Sequence, residues 1–223
     1  MAKSGDVTVF CDLFLKPAIL TLSGLAGFGI YPLCAPGPAM VAQLIRHTRN
    51  DVLFSLAPTI DAAMAAGLVV PSSRIGGLTN QLVLAGSQRA GAAGLDQAGL
   101  QALLAKSRVA VTDDTPAANL DGRAILAANN LTAAQIQGVA TTADAAFMVT
   151  SGAADLGLIY LTDALADSHL TVFATLNAPP SVTRCAAAVN AHAFSPNAQA
   201  LVDLIRSPAG IACLGQAGVR VSA

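Results

Sequence analysis

The sequence predicts an α/β fold, built from mainly parallel sheets flanked by helices. Three observations carry that prediction. Short apolar runs of strand length alternate with helical stretches from one end of the chain to the other, the order that places parallel strands between covering helices. The clearest runs, Val7–Phe10 and Leu156–Tyr160, are mostly apolar, as strands buried on both faces are. The 223 residues, 54% hydrophobic and only 11% charged, supply core for one or two compact lobes.

The elements follow in order. Val7–Phe10 reads as a strand and Lys16–Ala26 as a helix, with Pro17 in its first turn, where a missing N–H costs little. Gly29–Leu33 is a second strand. Gly37-Pro38 opens a helix whose Met40, Val41, Leu44 and Ile45 share one face. Asp51–Ser55 is a third strand, and Thr59 caps a helix over Ile60–Ala66 that Gly67 ends. A turn at Gly76-Gly77 leads into a strand over Gln81–Ala85. Gly86–Gly94 marks a change of lobe or an exposed loop. Helices are expected over Leu95–Ala105, Asp121–Asn129, Thr132–Gln137 and, capped by Thr142, Ala143–Thr150. Strands are expected at Arg108–Val111, Leu156–Tyr160, Leu170–Ala174 and Thr183–Val189. A helix over Pro196–Arg206 breaks at Ser207-Pro208 and restarts toward Leu214.

Composition removes several functions. A net charge of -1 with 12 scattered Lys and Arg leaves no basic footprint for nucleic acid. No stretch reaches the roughly 18 apolar residues of a membrane span; Pro17–Leu33 comes nearest but is broken by Gly and Pro. The four cysteines, Cys11, Cys34, Cys185 and Cys213, lack metal or CxxC spacing. His47, His169 and His192 also lack metal spacing, and no cofactor or metal is expected. No GxSxG, HExxH, P-loop or GxGxxG after a strand occurs; GLAGFG at Gly24–Gly29 follows a helix and is a weak phosphate-loop signal.

In sheets of this kind, ligands bind outside the carboxyl ends of the strands. Those ends are Cys11-Asp12-Leu13-Phe14, Cys34-Ala35-Pro36-Gly37, Ser55-Leu56, Thr112-Asp113-Asp114 and Tyr160. Several precede helix starts, whose free N–H groups and positive dipole favour anions. Asp12 with Asp113 or Asp114 is a candidate carboxylate pair for acid–base work; each also suits a turn. Cys11 and Cys34, at the ends of neighbouring strands, fit a disulfide, a pair of soft ligands or simple burial.

Taken together, the blocks resemble the periplasmic molybdate-binding protein family of ABC importers. Residues 7–19 (VTVFCDLFLKPAI) are similar to the family's opening strand and turn, and residues 50–55 (NDVLFS) to its ADVFIS-type strand. Residues 65–86 carry Arg74, Asn80 and Leu82-Val83 in the places of a longer family block. RVAVTDDTPA (108–117), ADLGLIYLTDA (154–164) and the closing segment 195–219 follow in the family's order. The resemblance implies a two-lobed type II periplasmic-binding-protein fold with a hinged cleft. Residues 1–80 with 186–223 would form one lobe and 81–185 the other. It also implies an oxyanion held by hydroxyls, by N–H groups at helix starts and by one tyrosine, Tyr160. The two expected serines align with Phe14 and Gly37, and the second-lobe backbone positions align with Asn119 and Thr142.

A hydrogen bond to a charged group contributes roughly 1.5–3 kcal/mol, so losing two hydroxyls disfavours molybdate. With Phe14 and Asp12 at the cleft, the expected ligand has an apolar part or a donor group, such as a small organic acid. The expected protein is a monomeric periplasmic solute-binding protein that hands its ligand to an ABC permease, is not embedded in the membrane and binds no nucleic acid. The start, MAKSGD, shows no export signal; the expectation is that it was removed, the alternative that the protein is cytoplasmic. The rival function is an isomerase or tautomerase of small carboxylic acids on the same fold, with Asp12 and Asp113 or Asp114 as bases.

Overall fold

The structure is a computed structural model that describes residues 5–87, 95–113 and 120–221. The chain divides into two compact units, residues 1–80 with 183–223 and residues 81–182. In chain order the first unit contains β1 (Val7–Cys11), α1 (Lys16–Leu22), β2 (Ile30–Cys34), α2 (Gly37–Ile45), β3 (Val52–Leu56), α3 (Ala57–Ala65) and β4 (Ile75–Asn80). The second holds β5 (Leu82–Ser87), α4 (Gln97–Leu104), β6 (Arg108–Thr112), α5 (Gly122–Ala128), β7 (Gln135–Val139), α6 (Thr142–Thr150), β8 (Leu156–Tyr160), α7 (Leu161–Ala166) and β9 (Leu170–Leu176). A short helix α8 (Pro180–Thr183) precedes β10 (Arg184–Val189), α9 (Ala198–Arg206), α10 (Pro208–Gln216) and β11 (Val219–Val221), which return to the first unit.

The first sheet has the order β11-β4-β10-β3-β1-β2 and the second β7-β6-β8-β5-β9. Both are mixed. β1 runs parallel to β2 and β3, whereas β10 lies antiparallel between β3 and β4, and β11 antiparallel beside β4. In the second sheet β5 alone runs against its companions. The reversed strands β5 and β10 are the ones that follow the two passages of the chain from one sheet to the other. Only Gln81 separates β4 from β5, and only the four-residue α8 and a few flanking residues separate β9 from β10.

Each unit has its own core. Phe10, Met40, Leu44, Leu53, Ile60 and Ala188 pack in the first, and Val83, Ala110, Ala145, Val149 and Ile159 in the second. α9 buries Ala198, Leu201, Val202 and Ile205, an i, i+3, i+4, i+7 stripe. It stops at Ser207, whose hydroxyl accepts the Gly210 N–H at 3.0 Å and starts α10. The break expected at Ser207-Pro208 is there.

Other local expectations are corrected. Gly76-Gly77 is not a turn before a strand. It lies inside β4, where two residues face one of β10 and Gly77 adopts φ 77°; the glycines mark a bulge. Residues 132–137 do not form a helix. Gln135–Val139 is edge strand β7, paired in register with β6, so sheet hydrogen bonds override a helical local preference. α1 ends at Leu22, four residues early. α3 starts at Ala57, so Thr59 lies within its first turn rather than capping it. The cap of α6 is Thr141, not Thr142. β11 was not expected. Most of the predicted loop at Gly86–Gly94 lies outside the described residues; Gly86 and Ser87 end β5.

Candidate functional site

β1, β2 and β3 are parallel and in register, so their carboxyl ends lie side by side, with Cys11 opposite Cys34 on one flank and Phe54 on the other. Asp12 follows at once and is only 8% exposed. Its Oδ2 accepts the Ser55 hydroxyl at 2.5 Å and the Leu56 N–H at 3.1 Å. Burial pushes the Asp12 carboxyl up to about 6 even though both donors pull the other way. Two of the predicted site residues, Asp12 and Ser55, are thus brought together.

Beside them, α2 and α3 begin. Their N-cap residues are Pro36 and Leu56, and neither helix has a capping side chain. Side chains therefore leave the first-turn N–H groups available at the positive end of each dipole. Gly37, the first residue of α2, is buried, and a Cβ there would overlap the Thr59 hydroxyl. Thr59 thus puts a hydroxyl where the side chain of a serine at position 37 would start. Sequence reasoning missed it by starting α3 three residues late. Phe14, the other altered position, sits in a 3-10 turn over Leu13–Leu15 and is itself buried; Leu13 is the exposed apolar side chain there, at 47%.

In the second unit, β8 ends at Tyr160, which is buried and donates its hydroxyl hydrogen to the Val182 carbonyl at 2.8 Å. Thr142 opens α6, and its hydroxyl donates to Asp163 in the first turn of α7. Burial pushes Asp163 up to about 7 against that bond. Its Oδ2 and the hydroxyl of Thr112, at the end of β6, are buried without a hydrogen-bond partner among the described residues. Sequence reasoning missed Asp163, although it stands within the ADLGLIYLTDA block. Asn119 and Asp114 lie outside the described residues.

The starts of α5 and α6, in the second unit, are capped instead. α5 is capped by Asp121, which accepts the Arg123 and Ala124 N–H groups at 2.9 and 3.0 Å, and α6 by a reciprocal Thr141–Asp144 box. Asp113, the second carboxylate of the rival enzyme reading, is half exposed and 3.8 Å from Arg123, an ordinary surface ion pair.

The family model described as bacterial extracellular solute-binding protein matches residues 29–220. The chain belongs to that family. The periplasmic molybdate-binding protein of Azotobacter vinelandii is similar in structure, with a TM-score of 0.78 at 18% identity over 97% of this chain and 100% of that one. A substrate-binding domain from Clostridium difficile has a TM-score of 0.73 at 15% identity, covering 98% and 99% of the two chains. The sulfate-binding protein of Mycobacterium tuberculosis gives 0.71 at 13%, covering 97% and 86%. At these identities the likeness shows the fold, a two-lobed α/β binding-protein architecture. No curated protein matches by sequence.

Elsewhere on this solute-binding protein, the three histidines are exposed; His47 and His192 meet edge to face at 5.3 Å, and His169 lies 2.9 Å from Asp167. Among the described residues no three His, Cys, Asp or Glu side chains are grouped to hold a metal, and no helix is long and apolar enough to cross a membrane. An open concavity of about 1040 Å³, lined in part by Lys106, Ser107, Asp155 and His169, lies at the amino ends of β6, β8 and β9. It is away from the carboxyl ends of β6 and β8.

Proposed function

We propose that this solute-binding protein captures a small organic acid bearing a hydrogen-bond donor in the periplasm and delivers it to an ABC permease. The observation that carries the reading is Asp12, buried beside two helix starts that no side chain caps. The helix N–H groups and the Thr59 hydroxyl suit a carboxylate, since all are donors at the positive end of a dipole. Asp12 suits something else. Molybdate and sulfate carry no proton at neutral pH, so a buried carboxylate next to them adds repulsion without a hydrogen bond. A hydroxyl or similar donor on the ligand turns that carboxylate into a partner. Asp163, with a buried oxygen lacking a partner, offers the second unit the same chemistry. Similarity in fold to molybdate- and sulfate-binding proteins supports capture of an anion, and the altered positions support a different one.

A thermal-shift panel of acetate, lactate, malate, molybdate and sulfate tests this, because a ligand bound only by the folded state raises its melting temperature by mass action. Lactate or malate should stabilise more than acetate, and the two inorganic anions least. Stabilisation by molybdate or sulfate alone would refute the reading.

One observation favours the isomerase reading: the Asp12 carboxyl, pushed up to about 6, lies near the range of a general base. Loss of the Cα–H signal of lactate or malate in deuterated water, seen by proton NMR in the presence of the protein, would support it; an unchanged signal counts against it.

A further inference from the structure

Cys11 and Cys34 face one another across β1 and β2. They are register partners in parallel strands, and their sulfurs are 3.5 Å apart. Neighbouring strands lie about 4.8 Å apart, within the Cα separation of roughly 4.4–6.8 Å that a disulfide spans. Rotation of the side chains therefore suffices to bring the sulfurs into bonding distance.

The two thiols are unequal. Cys34, on edge strand β2, is exposed, while Cys11 is fully buried. The Cys11 thiol donating toward Cys34 brings Cys34 down to about 7, against the effect of partial burial, and Lys16 acts in the same direction. The same contact and burial push Cys11 up. An accessible thiolate in front of a protected thiol is the arrangement of a disulfide-exchange pair.

We propose that Cys11 and Cys34 form a reversible redox-active pair, in which Cys34 attacks an external disulfide and Cys11 resolves the product into an internal bond. The oxidant is a disulfide, small or protein-borne. The Cys34 thiolate attacks one of its sulfurs, the external S–S bond breaks, and one thiolate leaves with Cys34 held in a mixed disulfide. The Cys11 thiol gives up its proton to that departing thiolate. Its sulfur then attacks the Cys34 sulfur and expels the second external thiolate, which takes a proton from water. Two protein thiols are oxidised and one external disulfide is reduced to two thiols. The new bond joins the ends of β1 and β2 immediately before Asp12 and three residues before Gly37. The pairing stands independently of the ligand reading.

Cys185, buried with its thiol 3.7 Å from the Thr183 carbonyl, and Cys213, on the Thr21 carbonyl at 3.3 Å, serve as internal references. The protein is incubated with excess oxidised glutathione, without ligand, then blocked with N-ethylmaleimide under denaturing conditions and mapped by mass spectrometry. The expected product is a linked pair of peptides carrying Cys11 and Cys34, lighter by two hydrogen atoms and reversed by dithiothreitol. The linked form should melt roughly 5–10 °C higher, from the entropy lost by the unfolded chain on closing this loop. In Cys11→Ser, glutathione should remain on Cys34, and in Cys34→Ser, Cys11 should stay alkylatable as a free thiol. Recovery of both Cys11 and Cys34 of the parent as free thiols would overturn the proposal. So would glutathione persisting on Cys34 of the parent to the same extent as in Cys11→Ser. Neither parent result depends on whether the variants fold.

Discussion

Two buried aspartates bridge the same two strands at opposite ends. Asp51, just before β3, accepts the Thr8 N–H and hydroxyl from β1, both at 2.8 Å, and the Phe194 and Ser195 N–H groups at 2.8 Å. Asp12, just after β1, accepts the Ser55 hydroxyl and the Leu56 N–H from β3. Burial acts to raise both carboxyls. At Asp51 four donors outweigh it and hold the carboxyl below the ordinary range, whereas at Asp12 two do not, and it rises to about 6. The amino end of the sheet is a finished hydrogen-bond network. The carboxyl end has a carboxylate with few donors beside helix starts with no caps. One end is closed on itself, and the other leaves donors and acceptors that suit the proposed ligand.

Breaking the finished end should have the largest effect. Asp51→Asn loses the charge that draws four donors together, and a hydrogen bond to a charged group is worth about 1.5–3 kcal/mol. Urea denaturation at pH 7 should show a loss of about 3 kcal/mol. Because the Asp51 carboxyl is held low, its contribution is present above the ordinary carboxylate range and lost as pH falls below it. The parent's advantage over Asp51→Asn should therefore shrink toward pH 3.

Asp163 should show the opposite pH dependence. With its folded value raised to about 7, the folded state holds a proton that the unfolded state has released. Its favourable contribution is complete below the unfolded value near 4 and is lost as pH rises through 7. Asp163→Asn should gain about 2 kcal/mol relative to the parent between pH 5 and pH 8, measured by urea denaturation without ligand. An unchanged difference between the two pH values would show that Asp163 is solvated like a surface carboxylate.

Thr59→Val keeps the shape of the residue beside Gly37 and removes its hydroxyl. Lactate or malate affinity should fall by roughly tenfold or more, the loss of one hydrogen bond to a charged group, while the melting temperature changes little. A lower melting temperature with unchanged affinity would assign Thr59 to packing between α2 and α3. The smallest effect is expected at Tyr160→Phe. Its hydroxyl serves the Val182 carbonyl, so the variant should lose about 1 kcal/mol of stability and bind within threefold of the parent. A tenfold loss of affinity at unchanged stability would place the hydroxyl on the ligand instead.

Much of the fold was legible because strand-length apolar runs and helix starts are local features. β1, β8, the α9–α10 break and the carboxyl-end placement of Asp12 all rest on such signals. What failed depended on partners distant in sequence. Nothing within Gln135–Val139 announces an edge strand until β6 lies beside it, and Gly76-Gly77 becomes a bulge only opposite β10. The candidate site divides in the same way. Asp12 and Ser55 were both visible as strand-end residues, 43 positions apart. Thr59 was not, because its role comes from the empty side of Gly37 on another helix. Asp163 stood in a recognised block, but its burial and its bond to Thr142 come from the packing of α6 and α7.

The most direct test of the account is calorimetric titration of the reduced parent protein with lactate, malate, acetate and molybdate at pH 7. A carboxylate held at the α2 and α3 starts, with its hydroxyl met by a buried aspartate, predicts that a hydroxy acid binds at least tenfold more tightly than acetate, and that molybdate binds more weakly than either. Submicromolar binding of molybdate would contradict it, since Thr59 and the uncapped helices would then hold a bare oxyanion despite Asp12.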